Sequence, residues 1–226
     1  MRRILCFSLA FFFCPAAALF SQDPPHSPTE TSVPAAEAIA RLEAGNQRFT
    51  SGHLQHPDES VERRTQLGKG QAPFAVVLGC ADSRVPPELT FDQGLGDLFV
   101  IRVAGNIIDD GIVASIEYGV EHLGARLVVV MGHERCGAVT AAKETIAAGG
   151  KAAGHLTALV TAIKPAVDAT AKADLDATIK ANVLNVVKAL ETSEPVLKAM
   201  VEKKEIVVKG AYYDLDSGAI TFLNPQ

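Results

Sequence analysis

The sequence has no tryptophan, only four cysteines, and fewer basic than acidic residues. Cysteines at positions 6, 14, 80 and 136 are too few and too dispersed to build a disulfide scaffold. Lysine and arginine number 21 against 26 aspartates and glutamates, a net charge of -5. That leaves no basic surplus for a nucleic-acid partner. Charged residues are only 21% and apolar residues 48%, which excludes a disordered, charge-rich tail protein. What is present is a chain of 226 residues, enough for one domain with a sizeable core and an extended arm.

Residues 1–20 (MRRILCFSLAFFFCPAAALF) read as an export signal. Arg2 and Arg3 supply the positive start, Ile4 to Phe13 the apolar stretch, and Ala16-Ala17-Ala18 the small-residue cleavage motif. The apolar run is too short to span a bilayer comfortably and runs into Pro15. Bulky Phe11-Phe12-Phe13 before Cys14 argue against a lipidated cysteine. The expectation is cleavage near Ala18, a periplasmic location, and no stable membrane insertion afterwards. Cleavage also removes Cys6 and Cys14, leaving Cys80 and Cys136.

Residues 21–34 (SQDPPHSPTETSVP) read as a polar, proline-rich leader. Residues 35–72 read as an N-terminal helical arm. Its first helix, 35–49, has a narrow apolar stripe around Ala38, Ile39 and Leu42. Its second, 60–67, has almost none. Such helices are expected to lean on another surface, such as a partner subunit.

Residues 73–226 read as an α/β core. The runs 74–79 (FAVVLG) and 127–132 (LVVVMG) are apolar throughout, as strands covered on both faces are. Further strands are expected at 97–103 and 205–214. Helical patterns fall at 111–124, 138–148, 153–163 and 172–190, with a last one at 195–201 after a break. A tight turn at Asp216-Ser217-Gly218 leads to a short partner strand, 219–223. The fold class is therefore a mainly parallel central sheet with flanking helices, a C-terminal antiparallel edge strand and an N-terminal helical arm. Sites in such sheets form at the C-terminal ends of the strands. Cys80 directly follows the first strand and His133 the third.

The segments GCADSRVPPE (79–88) and GHERCGAV (132–139) carry the chemistry. Cys80, His133 and Cys136 are three metal-ligand types brought together if the two strands are neighbours. Zinc takes sulfur at about 2.3 Å and imidazole nitrogen at about 2.0–2.1 Å, in tetrahedral geometry. Three protein ligands leave one position open, as in catalytic sites. Two thiolates and an imidazole suit zinc better than a hard cation. The competing reading is a buried thiol pair or a Cys80–Cys136 disulfide, making a zinc or thiol protein of the cell envelope without enzymatic activity. Asp82 is either a fourth ligand or an acceptor for a metal-bound hydroxide, and Arg84 has the fork to clamp it.

CADSRV followed by GHERCGA resembles the β-class carbonic anhydrases, from about Ala35 to the C-terminus. The resemblance implies one zinc per chain on Cys80, His133 and Cys136, with Asp82 and Arg84 as a catalytic dyad. It extends to the plant-like subgroup, in which Gln71, Phe99 and Tyr118 match substrate-pocket residues. One departure stands at Val103-Ala104, where plant enzymes carry Asn-Val; the small Ala104 is expected to widen the pocket. The implied reaction is reversible hydration of CO2 to bicarbonate and a proton by a zinc-bound hydroxide. Relatives of the fold hydrolyse CS2 or COS, which is the alternative. The implied assembly is a homodimer or larger, with Gln71 crossing to the neighbouring site and the site open rather than closed by Asp82. No proton shuttle identifies itself among His26, His53, His56, His122 and His155.

Overall fold

The computed structural model describes residues 32–224. The expected export signal and most of the leader lie outside the described residues. Five strands form one sheet in the order β2-β1-β3-β4-β5. Strand β1 (Ala75–Gly79) pairs in parallel with β2 (Leu98–Arg102) on one side and β3 (Leu127–His133) on the other. β3 pairs in parallel with β4 (Val207–Tyr213), and β5 (Ile220–Leu223) closes the edge antiparallel to β4.

Every residue of β1 and β3 is buried, which is why both read as unbroken apolar runs. Side chains alternate between the two faces. Val76, Leu78, Val128 and Val130 join Ile116 and Val120 of α4 (Asp110–Glu121) and Val183, Val186 and Val187 of α7 (Leu175–Glu191). Ala75, Val77, Leu127 and Val129 face the other way, toward Ala38 and Leu42 of α1 (Ala35–Ser51). Asp109 and Asp174 cap α4 and α7 by accepting from Ile112 and Ala177 N–H.

The chain leaves β1 toward β2 and returns on β1's other side as β3. The crevice between β1 and β3 is thus the point where the winding reverses, the usual place for a site in such sheets. Gly79 lies opposite Met131, which sets Cys80 beside the end of β3.

Two points refine the expectations. α1, the first helix of the N-terminal arm, packs on its own chain, which buries Ala38 and Leu42 completely. Asn46 Nδ2 donates to Thr90 O and Gly218 O, and its Oδ1 accepts from Ile220 N–H. A Cβ at Gly45 would stand 1.7 Å from Phe91 O, so only glycine permits this approach. The second helix, α2 (Val61–Leu67), buries nothing and leaves Val61 61% exposed. Secondly, α6 runs Leu156–Ala169 rather than ending at 163. Pro165 is exposed, and the buried Ile163, Ala166 and Val167 hold the helix to the core beyond it.

The sequence reading also passed over a short helix, α3 (Pro87–Thr90), and a single turn at Ala104–Asn106. Helices α5 (Gly137–Ala147) and α8 (Val196–Glu202) fall where expected. No helix among the described residues is long and apolar enough to cross a membrane.

Candidate metal centre

Cys80, His133 and Cys136 converge at the C-terminal ends of β1 and β3, and all three are buried. His133 is the last residue of β3 rather than the first beyond it. The three ligand atoms lie within 4.8 Å of one another. The sulfurs are 4.0 Å apart and both cysteines are free. A disulfide needs about 2.05 Å, so that reading is set aside. Two thiolates on one tetrahedral zinc stand about 3.8 Å apart, close to the spacing here.

The imidazole is oriented for ligation. His133 Nδ1 lies 2.9 Å from Glu134 O, so the proton resides on Nδ1 and donates to that carbonyl. Nε2 is then an acceptor, buried and without any partner. A buried acceptor left unpaired is costly, and a metal ion satisfies it. The donor set, the spacing and this orphaned nitrogen together fit zinc.

A backbone amide supports one of the two sulfurs: Gly105 N–H donates to Cys80 Sγ at 3.3 Å. Cys136 is the N-cap residue of α5, and its side chain makes no capping hydrogen bond. Without metal, the Cys136 thiol bonded to Cys80 lowers the Cys80 pKa, and His133 and Gly105 help against the opposing effect of burial. The neighbouring Cys80 and burial push Cys136 up.

The loop carrying His133 and Cys136 is sewn to the β4–β5 turn. Glu134 N–H donates to Tyr213 O at 2.9 Å, and the Glu134 carboxylate accepts from Leu215 N–H at 3.1 Å. Arg135 takes a left-handed φ of 52 and forks onto Asp216 at 3.1 and 2.6 Å.

Asp82 and Arg84 meet as expected. Arg84 Nε lies 2.9 Å from Oδ1 and its NH2 group 2.7 Å from Oδ2, with the Arg84 backbone N–H also on Oδ1. This guanidinium holds the Asp82 carboxyl well below the usual carboxylate range, against burial. Asp82 Oδ2 is 3.8 Å from His133 Nε2. A residue the sequence reading missed, Arg102, donates Nε to Cys80 O at 2.9 Å and its NH2 group to Asp82 O. Its place at the end of β2, beside β1, was the available signal.

Three of the four expected pocket residues are not gathered here. Ala104 is, since it immediately precedes Gly105 in the turn against Cys80. Gln71 is exposed in a depression with Leu67, Gly70, Leu95 and Gly96. It precedes β1, whose five residues span about 16 Å, whereas the ligands follow it. Phe99 pairs with Val76 and packs on the α4 face, its ring 6.1 Å from that of Tyr118. Tyr118 is 37% exposed and lies 5.2 Å from His122. Phe99 and Tyr118 thus pack together beside the edge strand β2, and Gln71 lies apart from them before β1.

Comparison with known proteins gives a consistent answer. The family profile described as carbonic anhydrase matches residues 75–220. Carbonic anhydrase 2 of Mycobacterium tuberculosis is 41% identical over 180 residues, covering 78% of this chain and 87% of that protein. A β-carbonic anhydrase structure from Aspergillus fumigatus superposes with a TM-score of 0.62 at 30% identity, covering 84% of this chain and 90% of that one. One of two tetrameric β-carbonic anhydrases from Sordaria macrospora superposes with a TM-score of 0.63 at 26% identity, covering 84% and 95%.

Proposed function

The chain belongs to the β-class carbonic anhydrase family, and we propose that it works from an open site, with Asp82 kept off the metal by Arg84. Its reaction is the zinc-dependent, reversible hydration of CO2 to bicarbonate and a proton. The observation that carries this is the set of three buried ligand atoms within 4.8 Å, one of them the unpartnered His133 Nε2.

Cys80, His133 and Cys136 hold one zinc per chain. Zinc bound there acts as a Lewis acid and lowers the pKa of water toward about 7, which makes a nucleophile available near neutral pH. The remaining work falls to the chain's own residues. Glu134 O keeps His133 in the tautomer that leaves Nε2 free to ligate. Asp82, ionised by its contact with Arg84, accepts a hydrogen bond from the attacking water and turns its lone pair toward CO2. Arg84 occupies both carboxylate oxygens and so competes with zinc for them.

The substrate pocket is of the plant-like kind and is completed by a second subunit. Gln71 of the partner subunit donates its amide to the CO2 oxygen on which charge develops. Phe99 and Tyr118 of the partner subunit supply the apolar wall, and Ala104 of the same chain widens it. Support comes from the exposed Leu54, Val61, Leu89 and Leu95, and from β2, whose outer edge pairs with nothing among the described residues. The relatives from Sordaria macrospora are tetrameric. We read residues 1–20 as an export signal, and on that reading the chemistry belongs to the periplasm.

The test is zinc content together with stopped-flow CO2 hydration, on protein lacking residues 1–20, near pH 8.5, followed by a pH series from about 6.5 to 9 that brackets the expected water pKa. One zinc per chain, fast hydration and a smooth single-ionisation profile are expected. A steep, cooperative loss below about pH 8 would overturn the open site.

A further inference from the structure

We propose that Asn182 is a positioning residue for Cys80, acting through the backbone of Gly105. The inference rests on Cys80 being a zinc ligand, which the zinc content of the unaltered protein checks separately.

The two sulfurs of the centre differ in their surroundings. Cys136 is the N-cap of α5 and makes no capping hydrogen bond, whereas Cys80 accepts a backbone N–H. That N–H comes from Gly105, in the turn Ala104–Asn106. That turn places two left-handed residues in succession, Gly105 at φ 69 and the non-glycine Asn106 at φ 41. Asn106 is buried with its Nδ2 unpartnered. Strained backbone of this kind persists only where its surroundings hold it.

Two contacts do so. Within the turn, Asn106 N–H donates to Val103 O at 2.9 Å. From outside, Asn182 of α7, itself 2% exposed, donates Nδ2 to Gly105 O at 2.9 Å. The carbonyl and the N–H of Gly105 are thereby fixed together, one by Asn182 and the other on Cys80 Sγ. A Cβ at Gly105 would stand 2.9 Å from Ile163 Cδ1 and 3.2 Å from Ala138 Cβ, so a side chain here would press on α5 and α6.

An N–H donated to a thiolate draws charge from the sulfur and lowers its donation to the metal. Asn182 thus sets, at one residue's remove, how strongly Cys80 donates. A purely structural asparagine would affect stability alone.

Cobalt substitution and zinc release separate the two roles. In Asn182→Leu, close in shape but unable to donate, the thiolate-to-cobalt charge-transfer band should move to lower energy. Zinc release to a chelator should slow about tenfold, because Cys80 then donates more strongly. Val183→Ala, which loosens the adjacent packing without touching the turn, should leave the band in place. In the unaltered protein loaded with NMR-active cadmium, the Gly105 amide proton should show scalar coupling to the metal. Should Asn182→Leu fail to fold, Asn182→Ser carries the band measurement. An unshifted band in the folded variant, an equal shift in Val183→Ala, or no coupling at Gly105 overturns the proposal.

Discussion

The two halves of the proposed active site differ in where the fold puts them. The metal half comes from the ends of adjacent central strands and the start of one helix, and its three ligands are buried together in a single chain. The pocket half, Gln71, Phe99 and Tyr118, lies on the edge strand β2, on α4 and before β1, partly exposed and remote from those ligands. The difference teaches that topology alone builds the metal centre, whereas the pocket, in the function proposed above, is completed by assembly. A monomer would then bind zinc well and hydrate CO2 poorly.

The largest effect is expected on the metal half. Cys136→Ser should leave far less than one zinc per chain, and hydration should fall by more than the about 100-fold that loss of an outer-shell partner costs. Full zinc and full activity in that variant would remove Cys136 from the ligand set. Asp82→Asn stands between the halves. It should retain zinc and lose about 10²- to 10⁴-fold in turnover; metal analysis finding no zinc would make Asp82 a ligand instead. Gln71→Ala probes the pocket half, with normal zinc and a loss of about 10²-fold. Unchanged kinetics there would detach Gln71 from catalysis.

The smallest expected effect is on stability, at a place belonging to neither half. Buried Asp92 accepts from Arg48 Nε and from the N–H groups of Gln55 and His56. Burial raises its pKa, but these donors outweigh burial and hold it below the usual value. Its stabilisation is therefore present above the unfolded pKa of about 3.9 and is lost as pH falls through the lower folded value. Asp92→Asn should cost about 2 kcal/mol at pH 7 with zinc and activity intact. In urea melts the gap from the unaltered protein should close as the pH falls below about 4. A gap that persists there would mean that charge is not the cause.

Much of this was legible in the sequence. Unbroken apolar runs at 74–79 and 127–132 are what doubly covered parallel strands require, and they placed Cys80 and His133 at neighbouring ends. The C-x-D-x-R and H-x-x-C spacing did the rest. What stayed hidden depends on partners far away in the chain. Asn46 looks like a surface residue of a narrow-striped helix until Thr90, Gly218 and Ile220 surround it. Arg102, Glu134 and Asn182 bond to backbone atoms, which leave no trace in residue types. The helical pattern was read only as far as 163, but burial of Ala166 and Val167 carries that helix on to Ala169.

The division between the halves is tested most directly by mixing two disabled chains. Cys136→Ser lacks a metal centre but keeps Gln71; Gln71→Ala keeps its metal centre but lacks the amide. If the pocket half serves the neighbouring subunit, a mixed assembly contains one site with both parts intact. Co-expressed and purified as heterodimers through two different tags, the pair should recover CO2 hydration well above either variant alone, up to about half the unaltered rate per dimer. Activity no higher than that of Gln71→Ala alone would mean that each chain builds its whole site by itself, and would contradict the account.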